Sequence, residues 1–349
     1  MNFLINQNKQ EGGKFIKMEL SSSVKQFSLG ELSYCLIKYQ HPLRETTIPQ
    51  FFKINNSTVY HPKVQHKGEL KIKLKPIISK EEYLTNVKKL MLEIALGNIY
   101  ELNYCLEFYA EGVEIDPESV FLKLCEISKA PYVSLVKIED EFIICASPEL
   151  FLKKEGLQLF TKPIKGTIRR GRTPEEDEQL KKELFENKKE RTENVMAVDV
   201  ARNDLSVIAK RGSVNVNKLY NIESFETVHQ MVSTVQCTLK ENADFDTIIK
   251  ATFPMASMTG APKISAMNFI EHYEKFARRY YSGAMGLIEE NGDFELCVII
   301  RSIFYNQKTN RLSIAVGSAI TYLSDPEQEY KECLLKAEAL LKALNAEIN

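Results

Sequence analysis

Short apolar segments separated by tight turns fill residues 132–166, and they constrain the fold more than any other feature. The stretch YVSLVKIEDEFIICASPELFLKKEGLQLFTKPIKG has apolar runs of strand length, with turn signals at Glu139-Asp140 and Glu155-Gly156. Because turns this tight join antiparallel neighbours, the stretch predicts several antiparallel strands. A chain with this stretch near its middle must contain a substantial antiparallel sheet.

Helices are predicted around this region without a regular alternation of strand and helix. SKEEYLTNVKKLMLEIALGN has Ser79 as N-cap, apolar residues at helical spacing and Gly97 as a stop. Residues 173–210 predict one or two helices, with Thr173 as N-cap and Pro174 at the first position. Other predicted helices are 118–128, 244–251, 262–275 and 326–344, and other predicted strands are 32–39, 68–75, 99–110, 226–239, 281–289, 294–305 and 311–316. This order predicts an α+β fold with large antiparallel sheets.

Composition argues against several classes of function. The 349 residues carry 46 Lys plus Arg against 47 Asp plus Glu, so there is no overall basic field for a nucleic acid. No apolar run approaches the ~18 residues of a membrane span. Seven scattered cysteines without a C-x-x-C pair, and a start without a secretory apolar core, predict reduced thiols in a cytoplasmic protein. No linker divides residues 76–349, so we predict one catalytic domain there, with residues 1–75 adding strands to it.

Two acidic pairs share one spacing. Glu190 and Glu193 lie in KKERTENVM, and Glu329 and Glu332 lie in DPEQEYKEC. On a helix, residues i and i+3 project from one face, so the four carboxylates could form a site for a hard cation such as Mg²⁺. A solvated acidic face is the commoner alternative for either pair alone, but neither pair shows a neat set of basic partners.

A lysine in a glycine-containing turn is the second candidate. TKPIKGTIRRGRT places Lys165 between a proline turn and Gly166. Such a lysine often faces solvent. Alternatively, its amine points into a cleft, where burial and nearby positive charge would lower its pKa and make it a nucleophile. Gly166 and Thr167 would then offer an amide and a hydroxyl to an anion.

Three further features are candidates for anion binding or catalysis. FPMASMTGAPKISAMNFI (253–270) predicts a helix N-terminus preceded by hydroxyl groups, which suits a carboxylate or phosphate, although ordinary capped helices look similar. His229 lies on a strand-like run, where a histidine is more often a core residue than a catalyst. Arg301 follows four apolar residues, and a buried arginine needs an anionic partner from the protein or from a ligand.

Eight stretches carry a family resemblance that covers residues 76–345. They are SPELF (147–151), PIKGT (163–167), ERTENVMAVDVARNDL (190–205), VHQMVSTV (228–235), FPMASMTGAPKISAM (253–267), YSGAMGLI (281–288), IIRS (299–302) and DPEQEYKECLLKA (325–337). In this order they resemble the chorismate-utilising enzymes, which include component I of anthranilate and aminodeoxychorismate synthases and the isochorismate and salicylate synthases. The fold this implies is a sandwich of two large antiparallel sheets with flanking helices and the active site between the sheets.

Single positions indicate which branch of the family the chain resembles. Anthranilate synthases have alanine where PIKGT has Lys165, whereas the branch that aminates chorismate at C4 has a lysine nucleophile there. Isochorismate and salicylate synthases carry a water-activating lysine at the place of Glu101, which argues against water as the nucleophile here. The tryptophan-site motif LLES is not found, so feedback inhibition by tryptophan is not expected.

The resemblance implies a role for each site residue. Glu193 and Glu332 would bind Mg²⁺ directly, and Glu190 and Glu329 would hold metal-bound waters. The implied catalytic residues are Glu149, which would protonate the departing C4 hydroxyl, Lys165, the nucleophile, and His229, close to the ring. The implied substrate contacts are Gly166, Thr167, Ser257, Tyr281, Arg301, Gly317, Ser318 and Ala319, with Tyr281 and Arg301 toward the enolpyruvyl carboxylate. Ala319 stands where relatives commonly have glycine, so alanine must tolerate the same backbone conformation.

The activity implied is Mg²⁺-dependent amination of chorismate at C4 through a lysine-linked covalent intermediate, in folate and 4-aminobenzoate biosynthesis. Ammonia would come from a separate glutamine amidotransferase subunit, because the chain has no G-x-C-x-G-type nucleophile segment of its own. Two alternatives stay open: component I of anthranilate synthase, and a catalytically silent chorismate-binding subunit. No nucleic-acid or membrane partner is expected.

Overall fold

A computed structural model describes residues 2–8, 14–24, 29–40, 49–60, 71–226 and 228–349. The described helices are α1 (Lys80–Ala95), α2 (Pro117–Ser128), α3 (Pro174–Glu186), α4 (Lys188–Ile208), α5 (Phe245–Thr252), α6 (Lys263–Tyr273) and α7 (Pro326–Leu344), and Ala256–Met258 form a 3₁₀ turn. The described strands are β1 (Asn2–Asn8), β2 (Lys14–Leu20), β3 (Ser33–Ile37), β4 (Gln50–Tyr60), β5 (Ile72–Pro76), β6 (Glu101–Ala110), β7 (Tyr132–Ile138), β8 (Glu141–Ser147), β9 (Leu150–Glu155), β10 (Gln158–Thr161), β11 (Ile164–Arg169), β12 (Asn215–Ser224), β13 (Val228–Thr238), β14 (Gly260–Ala261), β15 (Ala284–Ile288), β16 (Phe294–Val298), β17 (Ser302–Asn306), β18 (Arg311–Ile320) and β19 (Ala346–Ile348). None of the described helices is long and apolar enough to cross a membrane.

Two sheets share strand β4. The first sheet has the order β5, β6, β18, β17, β8, β7, β1, β2 and β4, with the short β14 also on β6. The second has the order β4, β3, β15, β16, β9, β10 and β13, with β11 and β12 also on β13. These pairs are antiparallel, and β5 with β19 is a parallel pair. The α+β class with large, mainly antiparallel sheets is confirmed.

The two faces of β6 and β18 contact different layers. Tyr104 and Leu106 of β6, and Ile314 of β18, pack into an apolar core together with residues of α1, α2 and α7. Cys105 and Ala315 instead belong to the core that the second sheet forms with α4 and α5. Because side chains alternate along a strand, one face of the first sheet supports the helices and the other faces the second sheet.

The chain crosses between the sheets at two adjacent corners. β8 pairs with β17 in the first sheet, and β9 pairs with β16 in the second, so the chain changes sheet after β8 and again after β16. The corners are tied together by backbone bonds: the Val298 amide donates to the Glu149 carbonyl over 3.0 Å, and the Ala146 amide donates to the Arg301 carbonyl over 3.2 Å. Each corner therefore carries one predicted site residue, Glu149 or Arg301.

The helix signals read from the sequence hold. Ser79 accepts a hydrogen bond from the Glu82 amide, and Thr173 accepts one from the Glu176 amide, each over 3.2 Å. Residues 173–210 form two helices, which break at Asn187, and the side chain of Asn187 caps the second. All seven cysteines are buried and none forms a disulfide.

The strand predictions differ from the structure in several places, and β1, β2, β4, β14 and β19 had no individual prediction. The single strand predicted over 294–305 is two strands, β16 and β17, because residues 299–301 form the corner between the sheets. β12 was not predicted: it lies at the edge of β13, and its mostly exposed sequence NVNKLYNIES lacks an alternating apolar pattern. Of the strand predicted over 68–75, residues 72–75 belong to β5, and residues 68–70 lie outside the described residues.

Candidate active site

A cavity of about 550 Å³ lies between the two sheets. Strands β6 and β18 line it from the first sheet and β11 and β13 from the second, while α4 and α7 contribute charged side chains. Its lining includes every predicted site residue except His229, Ser318 and Glu329. Residues that are far apart in the sequence are thus collected around one space.

Lys165 reaches the cavity from an irregular position in β11. The register between β11 and β13 shifts between Ile164 and Thr167, so Lys165 and Gly166 lie in a bulge. Gly166 has a φ of 82°, and a side chain there would come within 2.9 Å of the Glu190 carboxylate. Glycine at this position therefore permits both the bulge and the close approach of α4.

The carboxylate of Glu101 is the hydrogen-bond partner of Lys165. Nζ of Lys165 lies 2.6 Å from Oε1 of Glu101, and both side chains are buried. Burial works to lower the pKa of Lys165, but the carboxylates of Glu101, Glu193 and Glu149 outweigh burial and raise that pKa above its ordinary value. The expected lowering of this pKa is therefore wrong for this arrangement of side chains, because nearby negative charge dominates over burial.

Glu149 lies at the corner between β8 and β9. Burial raises the pKa of its carboxyl to about 7, although the Ser257 hydroxyl and the Lys165 ammonium act in the opposite direction. The carboxyl therefore holds a proton up to nearly neutral pH, which suits a proton donor. The Ser257 hydroxyl is itself buried and finds no hydrogen-bond partner of normal geometry among the described residues, so it is available to a ligand.

Arg301 supplies positive charge at the second corner. Its φ is 51°, an uncommon conformation for a residue with a side chain. Burial lowers the pKa of Arg301, opposed by the more distant Tyr281 and Glu332. Within the described part of the chain, no carboxylate lies within 4 Å of its guanidinium. A half-buried arginine without such a counter-ion is expected to bind an anionic ligand.

The two acidic pairs converge on Lys189. Its Nζ lies 2.9 Å from Glu329 Oε1, 3.7 Å from Glu193 Oε1 and 3.9 Å from Glu332 Oε2. Lys336 Nζ lies 2.7 Å from Glu332 Oε1. The expectation that neither pair has basic partners is therefore wrong: Lys189 and Lys336 stand four residues from Glu193 and Glu332, on the same helical faces.

The donor set of these pairs fits a hard cation. Glu193 Oε1 and Glu329 Oε2 are buried and accept no hydrogen bond from the described residues. Burial raises the pKa of Glu193 to about 8, partly opposed by Lys165, so its negative charge is incompletely compensated. Among the described residues no three carboxylate, imidazole or thiolate groups form a ready-made metal site, and Lys189 lies between the carboxylates. Mg²⁺ prefers oxygen ligands, and these carboxylate oxygens are not fully occupied by other partners, so the residues suit this ion.

The predicted turn at Gly317, Ser318 and Ala319 is part of strand β18. A side chain at Gly317 would come within 2.4 Å of Cys105 Sγ on the neighbouring strand, so glycine allows the two strands to approach. Ala319 lines the cavity without a positive φ, so alanine is tolerated there. The Ser318 side chain points to the opposite face, with Oγ 3.0 Å from the Tyr83 hydroxyl. Because side chains alternate along a strand, the Ser318 side chain does not line the cavity, and a substrate contact of this residue stays a prediction.

The side chain of His229 also points away from the cavity. Its ring nitrogens lie 2.9 Å from Asp177 Oδ1 and 2.9 Å from Ser224 Oγ. The neighbours Val228 and Gln230 line the cavity instead, because adjacent residues of β13 face opposite sides. His229 therefore does not line this cavity, and its predicted closeness to the substrate ring stays a prediction. Its imidazole instead joins β13 to α3 and β12.

Several residues of the site were missed as contributors from the sequence. Glu101 was considered only because it stands where some relatives have a lysine. Lys189 and Lys336 were overlooked, although the sequence shows that each lies four residues from a glutamate of the acidic pairs. Asn103 and Gln230 also line the cavity. Asn103 and Gln230 could be recognised only once the structure showed which face of β6 and of β13 borders the cavity.

Comparison with known proteins shows the family. The sequence profile of the chorismate binding enzymes matches residues 27–342, and the chain belongs to this family. Aminodeoxychorismate synthase component 1 of Bacillus subtilis is 38% identical over 258 residues, which are 74% of this chain and 54% of that protein. The chloroplastic aminodeoxychorismate synthase of Arabidopsis thaliana is 40% identical over 273 residues, 77% of this chain and 29% of that protein.

A relative of different activity is almost as similar. Anthranilate synthase component 1 of Aquifex aeolicus is 36% identical over 266 residues, 76% of this chain and 53% of that protein. The chain thus spans about half or less of the length of these three relatives. The menaquinone-specific isochorismate synthase of Escherichia coli superposes with a TM-score of 0.79 at 16% identity, covering 99% of this chain and 89% of that structure. The predicted family resemblance and fold are confirmed.

Proposed function

We propose that this chain aminates chorismate at C4 and forms 4-amino-4-deoxychorismate through a covalent adduct on Lys165. The observation that carries the proposal is the buried Lys165 amine, which enters the cavity from a bulge and lies 2.6 Å from Glu101. A buried amine beside a carboxylate that can accept its proton is a candidate nucleophile. The 38% identical Bacillus subtilis relative supports the same reaction.

The charges around the cavity suit a dicarboxylate substrate. Arg301 would pair with the enolpyruvyl carboxylate, assisted by the buried Tyr281 hydroxyl, because the described residues supply no carboxylate within 4 Å of the guanidinium. Glu193 and Glu332 would hold Mg²⁺, and Glu190 and Glu329 would hold its waters. When bound, Mg²⁺ would neutralise the ring carboxylate of the substrate. The two ends of chorismate are thereby distinguished.

The first half of the reaction uses three side chains. The surrounding carboxylates hold the Lys165 amine protonated in the free protein, so the reaction begins with transfer of a proton from Nζ to Glu101. The free amine then attacks C2 of chorismate. The ring double bonds shift, the C4–O bond breaks, and Glu149 donates a proton so that the hydroxyl leaves as water. The products of this half are a secondary amine that joins Lys165 to C2, together with one molecule of water.

The second half reverses the allylic displacement with ammonia. Ammonia attacks C4, the double bonds shift back, and the C2–N bond to Lys165 breaks as the lysine nitrogen regains a proton. The net reaction converts chorismate and ammonia into 4-amino-4-deoxychorismate and water, and Lys165 is regenerated. The covalent detour directs nitrogen to C4 and not to C2.

The proposed source of ammonia is a separate glutaminase subunit, and the proposed role is the supply of 4-aminobenzoate for folate. Residues 1–349 contain no G-x-C-x-G segment that could serve as a glutaminase nucleophile. The isolated chain is therefore expected to use ammonium salts and not glutamine. Activity of the purified chain with glutamine alone would contradict this assignment of the partner.

Product analysis tests the reaction against its alternatives. The protein is incubated with chorismate, MgCl₂ and ammonium chloride, and the products are identified by mass spectrometry. The proposal predicts 4-amino-4-deoxychorismate with the enolpyruvyl group retained. Direct formation of anthranilate and pyruvate would establish the alternative that the Aquifex aeolicus relative supports. Chorismate binding without turnover at saturating ammonium and Mg²⁺ would indicate a silent binding subunit.

A further inference from the structure

Lys189 occupies the space between the carboxylates of the two acidic pairs. It lies at the start of α4, one turn before Glu193, and its ammonium contacts Glu329 of α7 over 2.9 Å. Glu193 and Glu332 also lie within 4 Å of the same nitrogen, at 3.7 and 3.9 Å. A single positive group thus links three carboxylates from two helices.

The carboxylates need such a positive group in order to remain together. The side chains of Glu329 and Glu193 are only 1% and 7% exposed, so water screens their repulsion poorly. In the part of the chain that the structure describes, their buried oxygens Glu329 Oε2 and Glu193 Oε1 nevertheless accept no hydrogen bond. Lys189 therefore neutralises the cluster only in part and leaves donor oxygens for a stronger cation.

The exposure of Lys189 differs from that of the carboxylates it contacts. Its side chain is 33% exposed, so part of it already contacts solvent. Four methylene groups separate the ammonium from the backbone, and this flexible stem could carry the charge outward without movement of α4. The backbone that positions the carboxylates would be unaffected by such a rotation.

We propose that Lys189 is an internal counter-ion that holds the acidic cluster together without metal and is displaced when Mg²⁺ binds. This inference rests on the metal site of the proposed function. Mg²⁺ must expel an ammonium that already contacts Glu329, so metal binding by the free protein is weak. Substrate oxygens that join the metal would then favour the exchange, which links metal loading to the arrival of chorismate.

Metal affinity of the Lys189→Met variant tests the proposal without an activity assay. Removal of the competing charge should tighten binding of Mg²⁺ by roughly tenfold or more, as measured by calorimetric titration of the full chain without chorismate. Electron paramagnetic resonance with Mn²⁺ provides an independent measure of the same affinity. The midpoint temperature of unfolding of the variant should fall in EDTA and recover in MgCl₂.

Two matched variants separate this effect from a general change of charge. Lys188→Met removes the same charge from the adjacent, exposed position and should leave metal affinity unchanged. Lys189→Arg keeps the charge and should keep metal binding weak. If Lys189→Met unfolds in EDTA, refolding in MgCl₂ but not in NaCl of equal ionic strength supports the proposal, and refolding in neither overturns it.

The outcomes distinguish this inference from the proposed function. Unchanged or weaker Mg²⁺ binding by Lys189→Met, alongside measurable binding by the wild type, would overturn the role of Lys189 and leave the metal site intact. Absence of metal binding in both proteins, even with chorismate, would overturn the metal site and with it this inference. Formation of 4-amino-4-deoxychorismate in EDTA would then show that amination proceeds without the ion.

Discussion

Two cavities of nearly equal volume, about 550 and 560 Å³, differ in how their charges are satisfied. The second cavity is the one whose lining includes Glu107, Glu141, Arg278 and Arg311. There, Arg311 pairs with Glu107 over 2.9 Å. Arg278, on the same wall, pairs with Glu274 over 2.6 Å and also donates to two backbone carbonyls. In the candidate active site, Arg301 has no carboxylate within 4 Å among the described residues. The two cavities cannot be distinguished by volume, but they differ in whether their arginines have carboxylate partners.

The difference teaches where a ligand is needed. Arg278 and Arg311 at the second cavity each have a carboxylate partner, so an anionic ligand that bound to either would have to displace that partner. In the candidate site, Glu193 Oε1 and Glu329 Oε2 are buried without a hydrogen-bond partner among the described residues, while Lys189 donates only to the other oxygen of Glu329. A dicarboxylate with a divalent cation would supply the missing charges of both signs.

The largest expected effect follows removal of the nucleophile. Lys165→Ala should abolish formation of 4-amino-4-deoxychorismate, because no other amine lies in its place. Chorismate binding should be largely kept, since Arg301 and the acidic pairs are unchanged. Steady-state assays with ammonium, together with a binding titration, measure both quantities. Slow formation of anthranilate or its aminated precursor by ammonia attack at C2 would be consistent with the account.

The next effect separates the four carboxylates. Glu193→Gln and Glu332→Gln should abolish activity, because each removes a charge that the proposed metal contacts directly. Glu190→Gln and Glu329→Gln should cost on the order of 10–100-fold, the usual penalty for groups that hold metal-bound waters. Activity measured across a MgCl₂ titration distinguishes the two classes. Equal and small losses at all four positions would instead indicate a solvated acidic surface.

The pH dependence of the reaction tests Glu149. Its pKa is raised to about 7, so the carboxyl carries the proton it must donate below that pH and loses it above. The value of kcat/KM should therefore fall about tenfold per pH unit above neutrality. Glu149→Gln cannot donate a proton, so it should lose about 10²–10⁴-fold in rate and lack this falling limb. A falling limb unchanged in Glu149→Gln would assign the titration to another group.

The smallest effect is expected at the second cavity. Glu107→Gln breaks a satisfied ion pair with Arg311 and should change kcat/KM by less than about twofold, while it lowers thermal stability slightly. The variant is also a matched control for the Glu→Gln changes above. A loss of activity comparable to that of Glu190→Gln would remove the distinction between the two cavities.

The helices and many of the strands could be predicted from the sequence, because local signals mark where they begin and end. Ser79, Thr173 and the tight turns after β7 and β9 mark element ends that depend only on neighbouring residues. β12 has no such signal, because an exposed edge strand needs no apolar alternation. The corner at residues 299–301 was missed because the change of sheet depends on which strands β16 and β17 pair with.

The sequence predicted most of the residues that line the candidate site, but it did not predict which way their side chains point or what they contact. Family resemblance pointed to residues that do surround one cavity. It could not show that His229 and Ser318 face away from that cavity, since facing is set by the register of β13 and β18. The direction of the pKa shift of Lys165 was missed for a related reason: Glu101 lies 64 residues away in the sequence.

The most direct test of the central claim is mass spectrometry of the protein during turnover. Wild-type protein quenched with chorismate and Mg²⁺, in limiting ammonium, should show a mass increase equal to chorismate minus water on the peptide that contains Lys165. Lys165→Ala, treated identically, should show none. Absence of the adduct from the wild type, together with wild-type rates of C4 amination by Lys165→Ala, would contradict the covalent mechanism and make Lys165 an ordinary buried residue.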